Sequence, residues 1–311
     1  MEEFLWVEKY RPATIADCIL PERIKKTFQE YVDKGSIPNL MLTGTAGVGK
    51  TTVARAMCEQ IGLDYLFINS SSERGIDVLR NKITTYASTT SFYGGRKVII
   101  MDEADSITPE AQRALRGTIE AFSSNCTFIF TCNFKSRIIE PIHSRCAVID
   151  FSLRPEEKPM MAAVFFKRII KILEEEKVDY VREPLVKIVE KFFPDFRRTL
   201  NELQRFSSSG TIDASVLAQI TAVRNLNELV KSLKAKDFGT MRKWVAANSD
   251  IEPASIFRKI YDGLYDYFKP ESIPQAVVII GKYQYQSAFV ADQEINLVAC
   301  LTEIMVDCEV K

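Results

Sequence analysis

Eight residues from Gly44 to Thr51, GTAGVGKT, fit the spacing G-x-x-x-x-G-K-[ST]. In that spacing the glycines let backbone N–H groups curl around a β-phosphate. Lys50 carries a positive charge toward the β and γ oxygens, and the Thr51 hydroxyl can ligate Mg²⁺. A Gly-rich turn before a core helix would account for the glycines but not for the Lys-Thr pair that ends the motif. A second constellation is Asp102 and Glu103, at the end of the apolar run KVIIM. The C-terminal ends of strands are where an open parallel sheet forms its ligand crevice. There Asp102 is the expected magnesium partner and Glu103 the base that orients an attacking water. Taken alone, two solvated loop acids explain this pair as well; after a phosphate motif that explanation weakens. The letters DEAD (102–105) also occur in a helicase family and are not specific. Asn133 ends the next apolar run, where its amide would help place the water. A strand-end Asn that starts a turn is an equal reading.

The stretch PIHSRCAVIDF (141–151) holds the only histidine, a cysteine and Arg145. Three readings of Arg145 stay open on these residues: part of a metal site, an ordinary strand entrance, or a group serving an active site in a neighbouring subunit. A metal would need about three or four protein ligands, and beyond His143 and Cys146 no third stands nearby.

These groups need elements to hold them. Helical spacing covers Glu22–Lys34 and about 50–61. Ile76, Leu79, Ile83 and Tyr86 fall on one helical face. Pro109 opens a helix to Phe122, in the position where proline starts helices. Strands are expected at Ile37–Thr43, Tyr65–Asn69, Lys97–Asp105, Cys126–Asn133 and Cys146–Phe151. Strands alternating with helices imply a parallel sheet covered on both faces. From Pro155 onward the pattern is nearly all helical. The expected organisation is therefore an α/β domain over 1–152, a small helical domain over 153–222 and a C-terminal helical domain over 223–311.

The bulk numbers bound what such a chain does. It has 311 residues, 46% of them hydrophobic and 26% charged, with 41 basic against 41 acidic residues. Any nucleic-acid surface must therefore be local. No apolar run reaches the length of a membrane span, and the N-terminus lacks a signal-peptide layout. Seven scattered cysteines without a CxxC pair favour reduced thiols in a cytosolic compartment.

Taken in order, WVEKYRP (6–12), GTAGVGKT, NSSSERGIDVLRNKI (69–83), MDEAD (101–105), EAQRALRGTIE (110–120), TCN (131–133), HSRC (143–146) and PDFRRTLNELQ (194–204) resemble the AAA+ sliding-clamp loader ATPase subunits. WVEKYRP and SRC are specific for the replication-factor-C-like branch. The likeness is strong over about 1–210; beyond that only the helical character is shared. KFFPDFRRTL and SSSGTIDASVL look most like the T4-type bacteriophage loader. Cellular members usually carry GD where this chain has PD, and a Pro-rich phosphate loop that it lacks.

The resemblance implies a RecA-like parallel sheet with a helical lid, followed by an all-α collar. It implies ATP and Mg²⁺ as cofactors and a pentamer with further copies of itself and a sister subunit. The implied partners are a sliding clamp and primer–template DNA, with the replicative polymerase engaged indirectly and no membrane; the implied compartment is the cytoplasm, the host cell's if the chain is phage-encoded. On the same basis Val7, Glu8, Lys9, Tyr10, Arg11, Pro12 and Ile19 lie along the adenine. Gly44, Gly47, Val48, Gly49, Lys50, Thr51 and Thr52 form the phosphate loop. Asn133 and Arg197 contact the nucleotide, and Arg197 does so from the lid. Arg145 becomes an arginine finger that reaches the γ-phosphate of an adjacent subunit.

Arg74, Arg80, Lys82, Arg113 and Arg116 become DNA contacts, with Arg74 placed to contact Glu103 or DNA as a switch. The local charge is modest, seven basic against six acidic residues between 72 and 116, so solvated helix faces explain each arginine singly. Gln112 is a candidate coupler between subunits, or else an exposed polar helix residue. An exposed Phe122 is a candidate clamp contact. The tail aromatics, including Tyr261, Tyr265, Tyr267, Phe268, Tyr283 and Tyr285, read as helix packing. Other AAA+ DNA motors, a helicase loader and a non-hydrolysing structural subunit are the competing functions.

Overall fold

A computed structural model describes residues 4–72, 76–89, 95–207, 210–213, 226–249 and 251–311. The chain divides into two compact units, Met1–Leu217 and Ala218–Lys311.

The first unit is built on five parallel strands: β1 (Leu40–Thr43), β2 (Tyr65–Asn69), β3 (Lys97–Asp102), β4 (Cys126–Cys132) and β5 (Ala147–Asp150), in the order β2-β3-β4-β1-β5. The switch in order seats β1 between β4 and β5, so the loop after β1 lies beside the end of β4, with the end of β3 one strand further on. The short α1 (Trp6–Lys9) precedes the sheet, and helices cover both its faces: α2 (Glu22–Asp33), α3 (Lys50–Ile61), α4 (Ile76–Ser88), α5 (Pro109–Ala121) and the short α6 (Glu140–His143). The pleat sends alternate residues to opposite faces. Leu40, Leu42, Val98, Ile100 and Ile129 pack with α2 and α3. Met41, Ile99, Met101, Phe128 and Phe130 pack with Leu79 and Ile83 of α4 and with Leu115 and Ile119 of α5.

The expected first strand begins three residues late. Pro38 has no N–H to give a ladder, and Asn39 turns its side-chain oxygen to the Phe128 N–H at 2.9 Å. The third strand stops at Asp102 rather than Asp105, because Glu103 takes the left-handed conformation (φ 54°) and starts a 3₁₀ turn.

A lid completes the unit: α7 (Lys158–Glu175), β6 (Asp179–Tyr180), α8 (Arg182–Phe192), α9 (Phe196–Ser207) and β7 (Thr211–Ile212). The short parallel pair of β6 and β7 is an addition to the nearly all-helical reading. Phe165, Ile169, Leu173, Leu185, Ile188 and Leu203 are buried in the lid.

The second unit is helical: α10 (Leu226–Lys234), α11 (Phe238–Ala246), α12 (Pro253–Asp262), α13 (Leu264–Tyr267), α14 (Ile273–Gln286) and α15 (Gln293–Asp307). Its core joins Leu229, Met241, Phe257, Ile279 and Leu301. The aromatics there divide. Phe268, Tyr267 and Tyr283 pack into this core, whereas Tyr261, Tyr265 and Tyr285 are exposed, so packing explains only half of them.

Candidate functional site

The phosphate motif becomes a loop between a fully buried β1 and α3. Gly49 caps α3 in a left-handed conformation (φ 93°) and Lys50 is the first helical residue. This aims the first N–H groups of α3 into the mouth of a cleft of roughly 1180 Å³, its open mouth included. The loop supplies Ala46, Gly47, Gly49, Lys50, Thr51 and Thr52 to the wall, and the strand ends supply Asp102, Glu103, Thr131, Cys132 and Asn133. On the other side stand Val7, Glu8, Tyr10, Arg11, Pro12 and Ile19 of the N-terminal segment, with Phe165, Arg168, Ile172, Phe196, Arg197 and Leu200 of the lid.

Lys50 is buried. Its ammonium donates to the Gly44 and Thr45 carbonyls, each at 2.7 Å, and to Asn133 Oδ1 at 2.9 Å. Burial lowers its pKa and the Arg197 charge adds to this, while Asp102 and Asp105 oppose. Thr51 Oγ1 donates to Asp102 Oδ1, and Thr131 Oγ1 donates to the same oxygen at 2.6 Å. The Glu103 N–H in turn donates to Thr131 Oγ1 at 3.1 Å. Asp105 accepts the backbone N–H groups of Asn133 and Phe134 at 3.1 and 3.0 Å, which fixes the Asn133 amide toward Lys50. Asp105 adjoins the site as its place in MDEAD suggests, whereas Thr131 and Cys132 have no assigned role in the sequence reading; alternation along β4 and nearness to Asn133 are the signals for them.

Three residues of the expected nucleotide set stand off the cleft wall. Gly44 sits against Phe151, which a Cβ would meet at 3.0 Å, and it contributes its carbonyl to Lys50. Val48 is buried in the sheet core. Lys9 turns away to Glu176 at 2.7 Å. The same carboxylate accepts Tyr10 Oη at 2.7 Å, and burial together with that bond pushes the Tyr10 phenol up to about 12. Gln204 of α9 accepts the Trp6 N–H at 3.0 Å and donates to the Phe4 carbonyl at 2.7 Å. The N-terminal segment is thereby tied to the lid at both ends of α1.

Gly47 has a use that its motif does not announce. The Phe196 N–H donates to the Gly47 carbonyl at 3.1 Å, and a Cβ on Gly47 would lie 1.8 Å from Asp195 Oδ1. That same oxygen caps the helix carrying Arg197, through the Arg198 N–H at 2.9 Å. Gly47→Ala is expected to push the lid off the loop and to strain a backbone at φ 74°, at roughly 1–2 kcal/mol for the left-handed conformation. Nucleotide affinity should fall about tenfold or more with the fold intact. An unchanged affinity in a titration would show that the lid contact carries nothing.

Arg197 lines the cleft, whereas its neighbour Arg198 stacks on Phe192 at 5.0 Å. Arg145 is not on the cleft wall of its own chain. Its guanidinium donates to the Pro141 carbonyl at 2.6 Å and pairs with Glu120 of α5, holding that carboxyl below its usual range. Arg116 lies 3.5 Å from the same carboxylate. The metal reading of this stretch has no support. His143 Nε2 faces the Lys135 carbonyl at 2.9 Å, and burial pushes the Cys146 thiol up to about 12. No cluster of metal-ligating His, Cys, Asp or Glu occurs among the described residues.

Arg80 and Lys82 are exposed on α4, and Arg113 and Arg116 on the adjacent α5. Arg113 pairs with Glu110 at 3.0 Å. Arg74 lies outside the described residues. Two expectations are corrected. Gln112 is buried rather than exposed: it donates to the Ile107 and Arg137 carbonyls and accepts the Ile139 N–H at 2.8 Å, pinning α5 to the loop that leads to Arg145. Phe122 is half-buried against the sheet core rather than an exposed anchor, because the chain turns back there into β4.

Comparison with known proteins adds the rest. Residues 40–152 match the ATPase family associated with various cellular activities (AAA), and residues 156–218 match the sliding-clamp-loader large subunit, AAA+ ATPase lid domain. The sliding-clamp-loader large subunit of Enterobacteria phage T4 is 38% identical over 95% of this chain and 94% of that protein. The replication factor C small subunit of Archaeoglobus fulgidus is 38% identical over 75% of this chain and 74% of its own length. Among solved structures, the RuvB Holliday junction branch migration motor of Thermotoga maritima superposes with a TM-score of 0.55 at 15% identity, over 72% of this chain and 79% of that one; that likeness concerns the fold alone. With a clamp-loader relative 38% identical over 95% of this chain and a clamp-loader lid model over residues 156–218, the protein belongs to the sliding-clamp-loader family of AAA+ ATPases.

Proposed function

We propose that this nucleotide-binding ATPase subunit opens a sliding clamp and places it on primer–template DNA, within a pentamer that contains further copies of itself and a sister subunit. One observation carries the reading. A single cleft gathers the phosphate loop, the acidic strand end, the N-terminal segment and a lid arginine, while Arg145 lies off that cleft on its own chain. A subunit built this way completes its reaction with a neighbour. The proposed division is an α/β domain over 1–152, a lid over 153–222 and a collar over 223–311.

In this reading Lys50 and the loop N–H groups hold the β and γ phosphates, and Asn133 and Glu103 orient the attacking water. Arg197 senses phosphate from the lid. Val7, Glu8, Tyr10, Arg11, Pro12 and Ile19 form the base side. The hard oxygen donors Thr51 and Asp102, already at hydrogen-bond distance from each other, suit Mg²⁺, which takes one or two protein oxygens and completes its shell from phosphate and water. Bound there, the ion would neutralise charge developing between the β and γ oxygens.

ATP binding would favour the lid-closed, assembled state and hydrolysis would release it, a differential stabilisation of two states with no chemistry on the DNA. Arg80, Lys82, Arg113 and Arg116 on two adjacent helices, with Arg74, suit phosphate contacts that carry no sequence information. The cytoplasm and an indirect link to a replicative polymerase follow from the same reading. Among the described residues, no helix is long and apolar enough to cross a membrane.

The test is ATP hydrolysis by the co-purified complex, with and without primed DNA and the cognate clamp. Stimulation by both together, beyond the sum of each alone, is the expected result. Robust turnover that ignores both would point to another AAA+ DNA motor, and no turnover in an assembled complex would leave a structural subunit.

A further inference from the structure

Four cations line the cleft: Arg11, Lys50, Arg168 and Arg197. Arg11 is paired with Glu8, and Lys50 is held by two carbonyls and Asn133. Arg168 is different. It is half-buried on the inner face of α7, between Phe165 and Ile172, which line the cleft with it. Among the described residues it has no ion pair, hydrogen bond or ring contact. A half-buried guanidinium on the cleft wall, flanked on its helix by Phe165 and Ile172 and without an ion pair among the described residues, is free to take an anionic ligand group.

The position of Arg168 along α7 says which group. Phe165 packs on Phe196 with ring centroids 4.6 Å apart, and the Phe196 N–H donates to Gly47 at 3.1 Å. The Phe165 level is therefore the level of the phosphate loop. At the other end, Glu176 just past α7 accepts Tyr10 Oη at 2.7 Å, which marks the level of the N-terminal segment on the base side. With a rise of about 1.5 Å per residue, Arg168 stands about 4.5 Å from the Phe165 level and about 12 Å short of Glu176. Arg168 therefore stands, along α7, in the stretch between the phosphate-loop level and the base-side level, where a nucleotide so held would carry its α-phosphate. Arg197, by contrast, is close enough to Lys50 to act on its charge.

We propose that Arg168 is a second lid cation that binds the nucleotide α-phosphate, a group common to ATP and ADP. This rests on the nucleotide reading of the cleft. It divides the work of the lid: Arg168 keeps the lid engaged with either nucleotide, whereas the residue near Lys50 sees the γ end. It also explains why a cation occupies a helix face that otherwise reads as lid core.

The experiment is titration of the full-length chain with fluorescent ATP and ADP analogues, followed by competition with AMP and with adenosine. Wild type, Arg168→Ala and Arg168→Lys are compared. Arg168→Ala should weaken ATP and ADP by the same factor, on the order of tenfold for a lost charge-assisted hydrogen bond. AMP should compete correspondingly worse, while adenosine competes as before. Arg168→Lys should recover most of the loss. Unchanged ADP affinity, a loss confined to ATP, or an equal loss for adenosine would overturn the assignment. A wild-type chain that binds neither nucleotide would sink the nucleotide reading itself, whereas normal wild-type binding with an indifferent Arg168→Ala sinks only this contact. Among the described residues the side chain has no ion pair, hydrogen bond or ring contact to lose, so its removal is expected to leave the lid core intact.

Discussion

Arg145→Ala is expected to lower ATP turnover of the assembled complex by 10³–10⁵, the range that an arginine finger supplies in other phosphohydrolases, and to leave ATP binding by the same chain unchanged. The separation follows from geometry. Arg145 follows α6 at the entrance to β5, off the wall of its own cleft, and is parked between the Pro141 carbonyl and Glu120. Removing it takes nothing from the residues that hold this chain's nucleotide. The parking contacts are weak anchors, since Glu120 is half exposed and shared with Arg116, and water screens such exposed pairs. A γ-phosphate offered by a neighbour, with more charge and less water around it, competes for the guanidinium on favourable terms. Arg145→Lys should recover little of the rate, because a point charge cannot reproduce the two-pronged fork. The decisive comparison is steady-state turnover in the reconstituted complex beside nucleotide titration of the isolated chain. Normal turnover in the complex would return Arg145 to an ordinary strand entrance, and a loss of binding in the isolated chain would place it in its own site.

What was legible in the sequence was local. The phosphate loop, the buried strand before it and the helix after it lie within some two dozen residues, and periodicity with glycine chemistry describes them. The ends of β3 and β4 were legible because apolar runs that stop at polar residues mark strand ends in a parallel sheet. Half of the cleft was not, for the opposite reason. Phe165, Arg168, Ile172 and Leu200 reach the nucleotide side only when a lid more than a hundred residues away in sequence folds over the loop, and their spacing alone reads as helix packing. The ties of Trp6 to Gln204 and of Tyr10 to Glu176 are equally long-range. Gln112 shows the limit most clearly: a polar residue on an amphipathic helix reads as solvated, yet three backbone groups of two loops leave it fully satisfied and buried. The early stop of β3 needed the left-handed turn at Glu103, which an acidic residue does not advertise.

That turn sets up the other large effect. Glu103→Gln is expected to cut hydrolysis on the order of 10²–10⁴, the usual share of a positioned general base, while ATP still binds, so that the complex accumulates with ATP bound. The left-handed backbone at φ 54° lifts Glu103 out of the line of β3, and its N–H is anchored on Thr131 Oγ1 at 3.1 Å. Thr131 also holds Asp102, so the two acids are set apart by one hydroxyl. Asp102 is occupied by Thr51 and Thr131, whereas the Glu103 carboxylate lines the cleft with no intramolecular partner among the described residues. An acid already bound to two hydroxyls suits a metal-side role; a free one suits a proton acceptor. Glutamine keeps the shape, the anchored N–H and the backbone strain, and removes only the basicity. Asp102→Asn makes the contrast, since it disturbs the Thr51 and Thr131 bonds and should weaken nucleotide binding in magnesium as well as turnover. Single-turnover hydrolysis beside equilibrium binding separates the two. Wild-type rates in Glu103→Gln would move the base to another carboxylate of the same cleft, of which Asp102 is the neighbour in sequence. A Glu103→Gln variant that lost binding and rate together would show that its carboxylate holds the nucleotide rather than the water.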